Sequence, residues 1–94
     1  MTERSTVEIL RAARERISDP ERWCSSGPGN GRDRVCALIA LDLEVGGPGY
    51  ANPAYELLRK AAGGLISDFN DSHGHRDVLA MYDRAISSAE EASC

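Results

Sequence analysis

Pro20-Glu21-Arg22-Trp23-Cys24, a glycine-rich link, and then Asp33-Arg34-Val35-Cys36-Ala37-Leu38-Ile39-Ala40-Leu41-Asp42-Leu43 form the stretch on which the rest of the chain depends. It holds the single tryptophan, two of the three cysteines and the longest apolar run. With Asp33 as N-cap, the run predicts a helix to Val45 that is apolar on nearly every side. Such a helix belongs at the centre of a bundle, touched by its neighbours from several directions. Gly46-Gly47-Pro48-Gly49 then stops it, with a glycine just past its end and a proline beyond. Trp23 is expected to wedge onto that helix as part of the core.

The flanks supply the other helices. Ser5 and Glu8 fit a reciprocal capping box that opens a first helix. Val7, Leu10, Ala13 and Ile17 follow at helical spacing, and Arg11, Arg14 and Arg16 crowd the end where the helix dipole favours cations. Asp19-Pro20 ends this helix and starts a short turn that delivers Trp23 inward. Residues 25–32 read as a flexible connector. Their three glycines lack both the preceding strand and the Gly-Lys-Ser/Thr ending of a phosphate loop.

Further along, Asn52-Pro53 caps a third helix, with Ala54, Leu57, Leu58 and Ala61 on one face and Gly63 after its end. Leu65 to Asp71 reads as a short apolar turn running into a polar link, Ser72-His73-Gly74-His75. A last helix is predicted over about 76–89, with residues 90–94 frayed. No β-alternation and no internal repeat are present. The fold class is all-α, a single domain forming a compact bundle of about four helices.

Size and charge limit the function classes. Ninety-four residues make one domain with a radius of gyration of roughly 12 Å. The chain is 41% hydrophobic and 28% charged, as an ordinary globular protein is. No apolar stretch reaches the roughly 20 residues that span a bilayer. No signal-peptide apolar region is visible, so a cytoplasmic location and no membrane partner are expected. Residues 1–34 carry seven arginines against six acids, and residues 35–94 carry four bases against nine acids, which together give the net charge of −4. An acidic domain is a poor binder of phosphate backbones, so direct nucleic-acid binding is not expected. A protein partner with a basic surface suits it, including one that normally holds nucleic acid.

Three stretches and the last helix also resemble a known family. They are Asp19-Pro20-Glu21-Arg22-Trp23-Cys24, Arg34-Val35-Cys36-Ala37-Leu38, Asp68-Phe69-Asn70-Asp71, and Val78-Leu79-Ala80-Met81-Tyr82-Asp83-Arg84-Ala85-Ile86. The pattern is similar to a domain of unknown function found in small uncharacterised proteins of high-GC bacteria, their phages and mobile elements. The chain departs from that pattern at Ile39 and Ala40, where relatives carry a pair of small residues. The resemblance implies no established activity. Small acidic proteins of such elements include inhibitors of host defence, anti-CRISPR proteins among them, which is an analogy of class.

Residues that could carry chemistry are few. Cys24, Cys36, His73 and His75 form a Cys2His2 donor set suited to tetrahedral zinc, but Cys-x11-Cys and His-x-His lack the short knuckles of structural sites. Asp68-x-Asn70-x-Ser72 starts like a calcium loop, then places His73 and Leu79 where glycine and a bidentate glutamate belong. No metal or other cofactor is therefore expected, and capping and turn bonding account for Asp68, Asn70, Asp71 and Ser72. A thiol- or metal-dependent enzyme would use Cys24 with His73 or His75, since Cys36 is hidden among apolar neighbours. The odd cysteine count argues against a disulfide framework, and Cys94 is placed to link two chains in an oxidising buffer. The leading expectation is a non-enzymatic binding protein, monomer or weak homodimer, that occupies a partner's surface through Tyr50, Tyr55, Asp42, Glu44, Asp68 and Asp71.

Overall fold

Capping chemistry sets the first helix of the computed structural model, which describes residues 5–24, 35–46 and 52–92. The Ser5 side chain accepts from the Glu8 N–H at 3.1 Å, and the Ser5 N–H donates to Glu8 Oε1 at 3.2 Å. Helix α1 then runs over Thr6–Arg16. Its stripe is built on Ile9, Leu10, Ala13 and Ile17, all buried, while Val7 is only half-buried against them. Asp19 caps a 3-10 turn over Pro20–Arg22, its carboxylate accepting from the Glu21 N–H at 2.9 Å.

Helix α2 occupies Ala37–Val45, three residues later than an Asp33 cap would put it. Asp33 lies outside the described residues. The delay has a physical reason, because Val35 is taken up in an isolated parallel bridge with Trp23. Cys36 then becomes the N-cap, its backbone extended and its Sγ accepting from the Ile39 N–H at 3.5 Å. Gly46 ends the helix with φ of 88°, a left-handed conformation that glycine adopts without steric cost. Ala37, Ala40 and Leu41 are fully buried, but Leu43 is 42% exposed. The helix is therefore buried on one side and not all round, lying against α1 and the segment Ile66–Ser72.

Asn52 caps α3, Pro53–Ala62, with its side chain accepting from the Ala54 N–H at 2.9 Å. The segment expected to be a turn is a helix, α4, over Ile66–Ser72. Ile66 and Asn70, one turn apart, are both buried, so tertiary packing overrides the weak helix propensity of its Asp, Asn and Ser residues. Helix α5 covers His75–Ala92 and extends through Glu90 and Glu91 where fraying was expected. Ala89 is buried there, and Arg11 of α1 reaches Glu90 at 3.1 Å, so this end has something to hold it.

Among the described residues the architecture is five α-helices and one 3-10 turn. Helix α5 packs on α1, α3 and α4, and α2 packs on α1 and α4. Val78, Met81, Tyr82 and Ala85 of α5 are completely buried and form the floor on which Leu10, Leu58 and Ile66 meet. The radius of gyration is 12.0 Å, the value expected of one domain of this length. The arginines of α1 do more than favour its dipole. Arg14 Nε lies 2.7 Å from Asp83 of α5, and Arg16 pairs with Glu44 of α2. These pairs, each open to solvent on at least one side, orient the helices and add little stability each. No helix among the described residues is long and apolar enough to cross a membrane.

Candidate functional site

The four stretches that carry the family resemblance converge in space, and Asn70 is where they meet. Among the described residues Asn70 is the buried polar residue of the core, with no exposed surface. Its Oδ1 accepts from the Trp23 indole Nε1–H at 2.7 Å and from the Ala37 N–H at 2.9 Å. Its Nδ2 donates to the Cys24 carbonyl at 2.9 Å and to Asp71 Oδ1 at 3.2 Å. A carboxamide has two lone pairs and two N–H groups, and here all four are used. The last stretch joins through Tyr82, whose hydroxyl donates to the Ala37 carbonyl at 2.6 Å.

Backbone geometry explains why an asparagine stands at this point. The Val35 N–H donates to the Arg22 carbonyl at 2.9 Å, and the Cys24 N–H donates to the Val35 carbonyl at 3.1 Å. These are two successive rungs of a parallel ladder. The third rung would join the Ala37 N–H to the Cys24 carbonyl, but at Ala37 the chain turns into α2 and the two segments part. The Asn70 carboxamide fills the gap, accepting from one backbone group and donating to the other. It stands in for a peptide unit and leaves neither backbone group unsatisfied. Assigning Asn70 to capping and turn bonding missed this role, because nothing in the local spacing tells a surface Asn from a buried one. The one available signal was its position four residues after Ile66, on an apolar face.

Trp23 is correspondingly half-buried, packed on the edge of the core and not within it. Its ring lies 5.5 Å from that of His75, tilted by 49°. His75 Nε2 is 2.6 Å from the Ile17 carbonyl. A carbonyl only accepts, so Nε2 carries the proton in this contact. His73 stacks on Phe69, with centroids 3.8 Å apart and planes 8° from parallel, and its Nδ1 faces the Phe69 carbonyl at 3.1 Å. The Arg84 guanidinium covers the same Phe69 ring at 5.9 Å. The histidines considered for a zinc or thiol site thus make separate contacts, one to the end of α1 and one to the end of α4. Among the described residues no group of three or more His, Cys, Asp or Glu side chains could hold a metal ion.

Tyr82 is enclosed within this junction. Burial raises its phenol well above the ordinary value, and electrostatic interaction with Cys36, Asp42 and Glu44 adds to the effect in that order. The group is a neutral hydrogen-bond donor throughout the physiological range.

The surface offers a different feature. Leu43 on α2, 42% exposed, and Leu65 at the start of α4, 52% exposed, are the two exposed large hydrophobics among the described residues. Both belong to one packed helix pair. That pair carries Asp42, Glu44, Asp68 and Asp71 and no lysine or arginine. Asp68 and Asp71 are exposed, Asp42 is half-buried, and Glu44 is held by Arg16 from α1. Of the tyrosines expected to contact a partner, Tyr55 is half-buried against the core. Tyr50 lies outside the described residues, as do residues 25–34 and Cys94.

Comparison with known proteins adds one finding. A family model described as a family of unknown function, DUF6197, matches residues 1–88, so the chain belongs to that family. The resemblance drawn from the sequence therefore holds for a small uncharacterised domain family. No curated protein and no solved structure matches the chain.

Proposed function

We propose that this member of DUF6197 is a binding protein that sets its α2–α4 pair against an apolar, basic-rimmed surface of a partner protein. The observation that carries this reading is the coincidence of two features on one helix pair. The exposed leucines, Leu43 and Leu65, sit on the elements that hold four acids and no base. Apolar contacts on elements whose own charges are all negative suit a surface of opposite sign, with the charge setting encounter rate and specificity and the apolar contact setting lifetime. A basic surface that ordinarily holds nucleic acid is one such target. Occupying it makes the chain an accessory or inhibitory factor, and no chemistry of its own is needed.

The test compares affinity capture from the source cell by the unaltered chain and by Leu43→Arg/Leu65→Arg. Both positions are exposed, so the double variant should melt within a few degrees of the parent. Proteins retained by the parent and depleted at least tenfold with the variant, at unchanged melting, support the reading. Retention of the same proteins by both, or no stoichiometric partner for either, overturns it.

A further inference from the structure

We propose that Cys24 and Cys36 form a redox-active pair that closes to an intramolecular disulfide on reaction with a low-molecular-weight disulfide oxidant. Backbone register sets the two cysteines side by side. Trp23 and Val35 are bridged in parallel, held by the Val35 N–H to Arg22 carbonyl and Cys24 N–H to Val35 carbonyl bonds. One step further along both segments, Cys24 is lateral to Cys36. Trp23 and Cys36 have extended backbones, with φ, ψ of −104°, 140° and −81°, 171°. Paired positions in a parallel ladder are about 4.8 Å apart, and their side chains leave the same face. A disulfide spans Cα separations of about 4.4–6.8 Å. The Asn70 carboxamide opens the ladder only after this position, at the Cys24 carbonyl and the Ala37 N–H.

Exposure orders the chemistry. Neither cysteine is in a disulfide; Cys24 is half-buried and Cys36 is buried. The Cys24 thiolate, having lost its proton to solvent, attacks one sulfur of an oxidant such as oxidised glutathione. The oxidant's S–S bond breaks and one glutathione thiolate leaves. The Cys36 thiolate then attacks Cys24 Sγ in the mixed disulfide, and the second glutathione thiolate leaves. Two protein thiols are oxidised by two electrons, and one small disulfide is reduced to two thiols. The new bond ties the 3-10 turn to the N-cap of α2 and closes a loop across residues 25–35.

The experiment equilibrates the full chain with oxidised and reduced glutathione, quenches with an alkylating agent and maps tryptic peptides. Cleavage after Arg22, Arg32, Arg34 and Arg59 puts Cys24 in peptide 23–32 and Cys36 in peptide 35–59, while Cys94 is in peptide 85–94. The expected result is peptides 23–32 and 35–59 joined, in a monomer two mass units lighter than the reduced chain. The thermal midpoint of that oxidised monomer should rise by about 10 °C, from loop closure in the unfolded state. Cys24→Ser should leave Cys36 alkylated only after unfolding. Full alkylation of Cys24 in a folded chain held in oxidised glutathione, or disulfides confined to peptide 85–94, overturns the proposal.

Discussion

Replacing Asn70 by alanine tests the junction at its centre. The substitution leaves the Trp23 indole N–H, the Ala37 N–H and the Cys24 carbonyl without the partner each has at 2.7–2.9 Å. An unsatisfied buried group costs about 1–3 kcal/mol. Trp23 and Cys24 are half-buried and recover part of that from water, so the Ala37 N–H bears most of the cost. Adding the cavity left by the carboxamide gives a loss of about 3–5 kcal/mol. A domain of this length has about 5–14 kcal/mol in total. The thermal midpoint should therefore fall by about 12 °C or more, or the chain should unfold outright. Asn70→Asp separates the donor from the acceptor role. The carboxylate still accepts from Trp23 and Ala37, but it also confronts the Cys24 carbonyl and Asp71. Those oxygens hold its folded pKa above the unfolded value of about 3.9. The penalty is present above the folded pKa and is relieved as pH falls through it, when the protonated acid can donate again. Chemical denaturation at pH 7 and near pH 4 measures both variants. A loss under about 1 kcal/mol for Asn70→Ala, or an Asn70→Asp penalty that does not shrink toward pH 4, would refute the reasoning.

The other expectations are smaller. Ser5→Ala removes one half of the capping box, and denaturant titration should read a loss of about 1 kcal/mol. Tyr82→Phe deletes the hydroxyl bond to the Ala37 carbonyl, for a loss of about 1–2 kcal/mol. The raised Tyr82 pKa also gives the parent a pH dependence. Its contribution is intact below the unfolded value of about 10 and is lost as pH climbs from there through the folded value. Melting between pH 9 and 11 should show a steeper alkaline decline in the parent than in Tyr82→Phe.

Helix ends were far more legible in the sequence than tertiary roles. Ser5 with Glu8, Asp19-Pro20, Asn52-Pro53, Gly46 and Gly63 each mark a terminus by local backbone chemistry, and each does so in the structure. The start of α2 was hidden because its cause is a long-range pairing of Val35 with Arg22 and Trp23. Cysteine is an uncommon N-cap, so Cys36 gave little warning. Helix α4 was missed for a related reason: seven residues rich in Asp, Asn and Ser look like a turn until Ile66 and Asn70 are seen to be buried together. The stretch 20–43 did point to the organising region, yet its Trp and cysteines are not gathered around a buried central helix. They line the junction that Asn70 closes, and the exposed acids and leucines of α2 and α4 lie outside it.

The single tryptophan permits the most direct measurement of that junction, the hydrogen exchange of its indole N–H in a nitrogen-resolved NMR spectrum. The chain contains one such group, so one resonance is unambiguous. Held by Asn70 at 2.7 Å, it should exchange on the timescale of global unfolding and lose that protection in Asn70→Ala. An indole N–H that exchanges as fast as a solvent-exposed one in the folded parent chain would contradict the account.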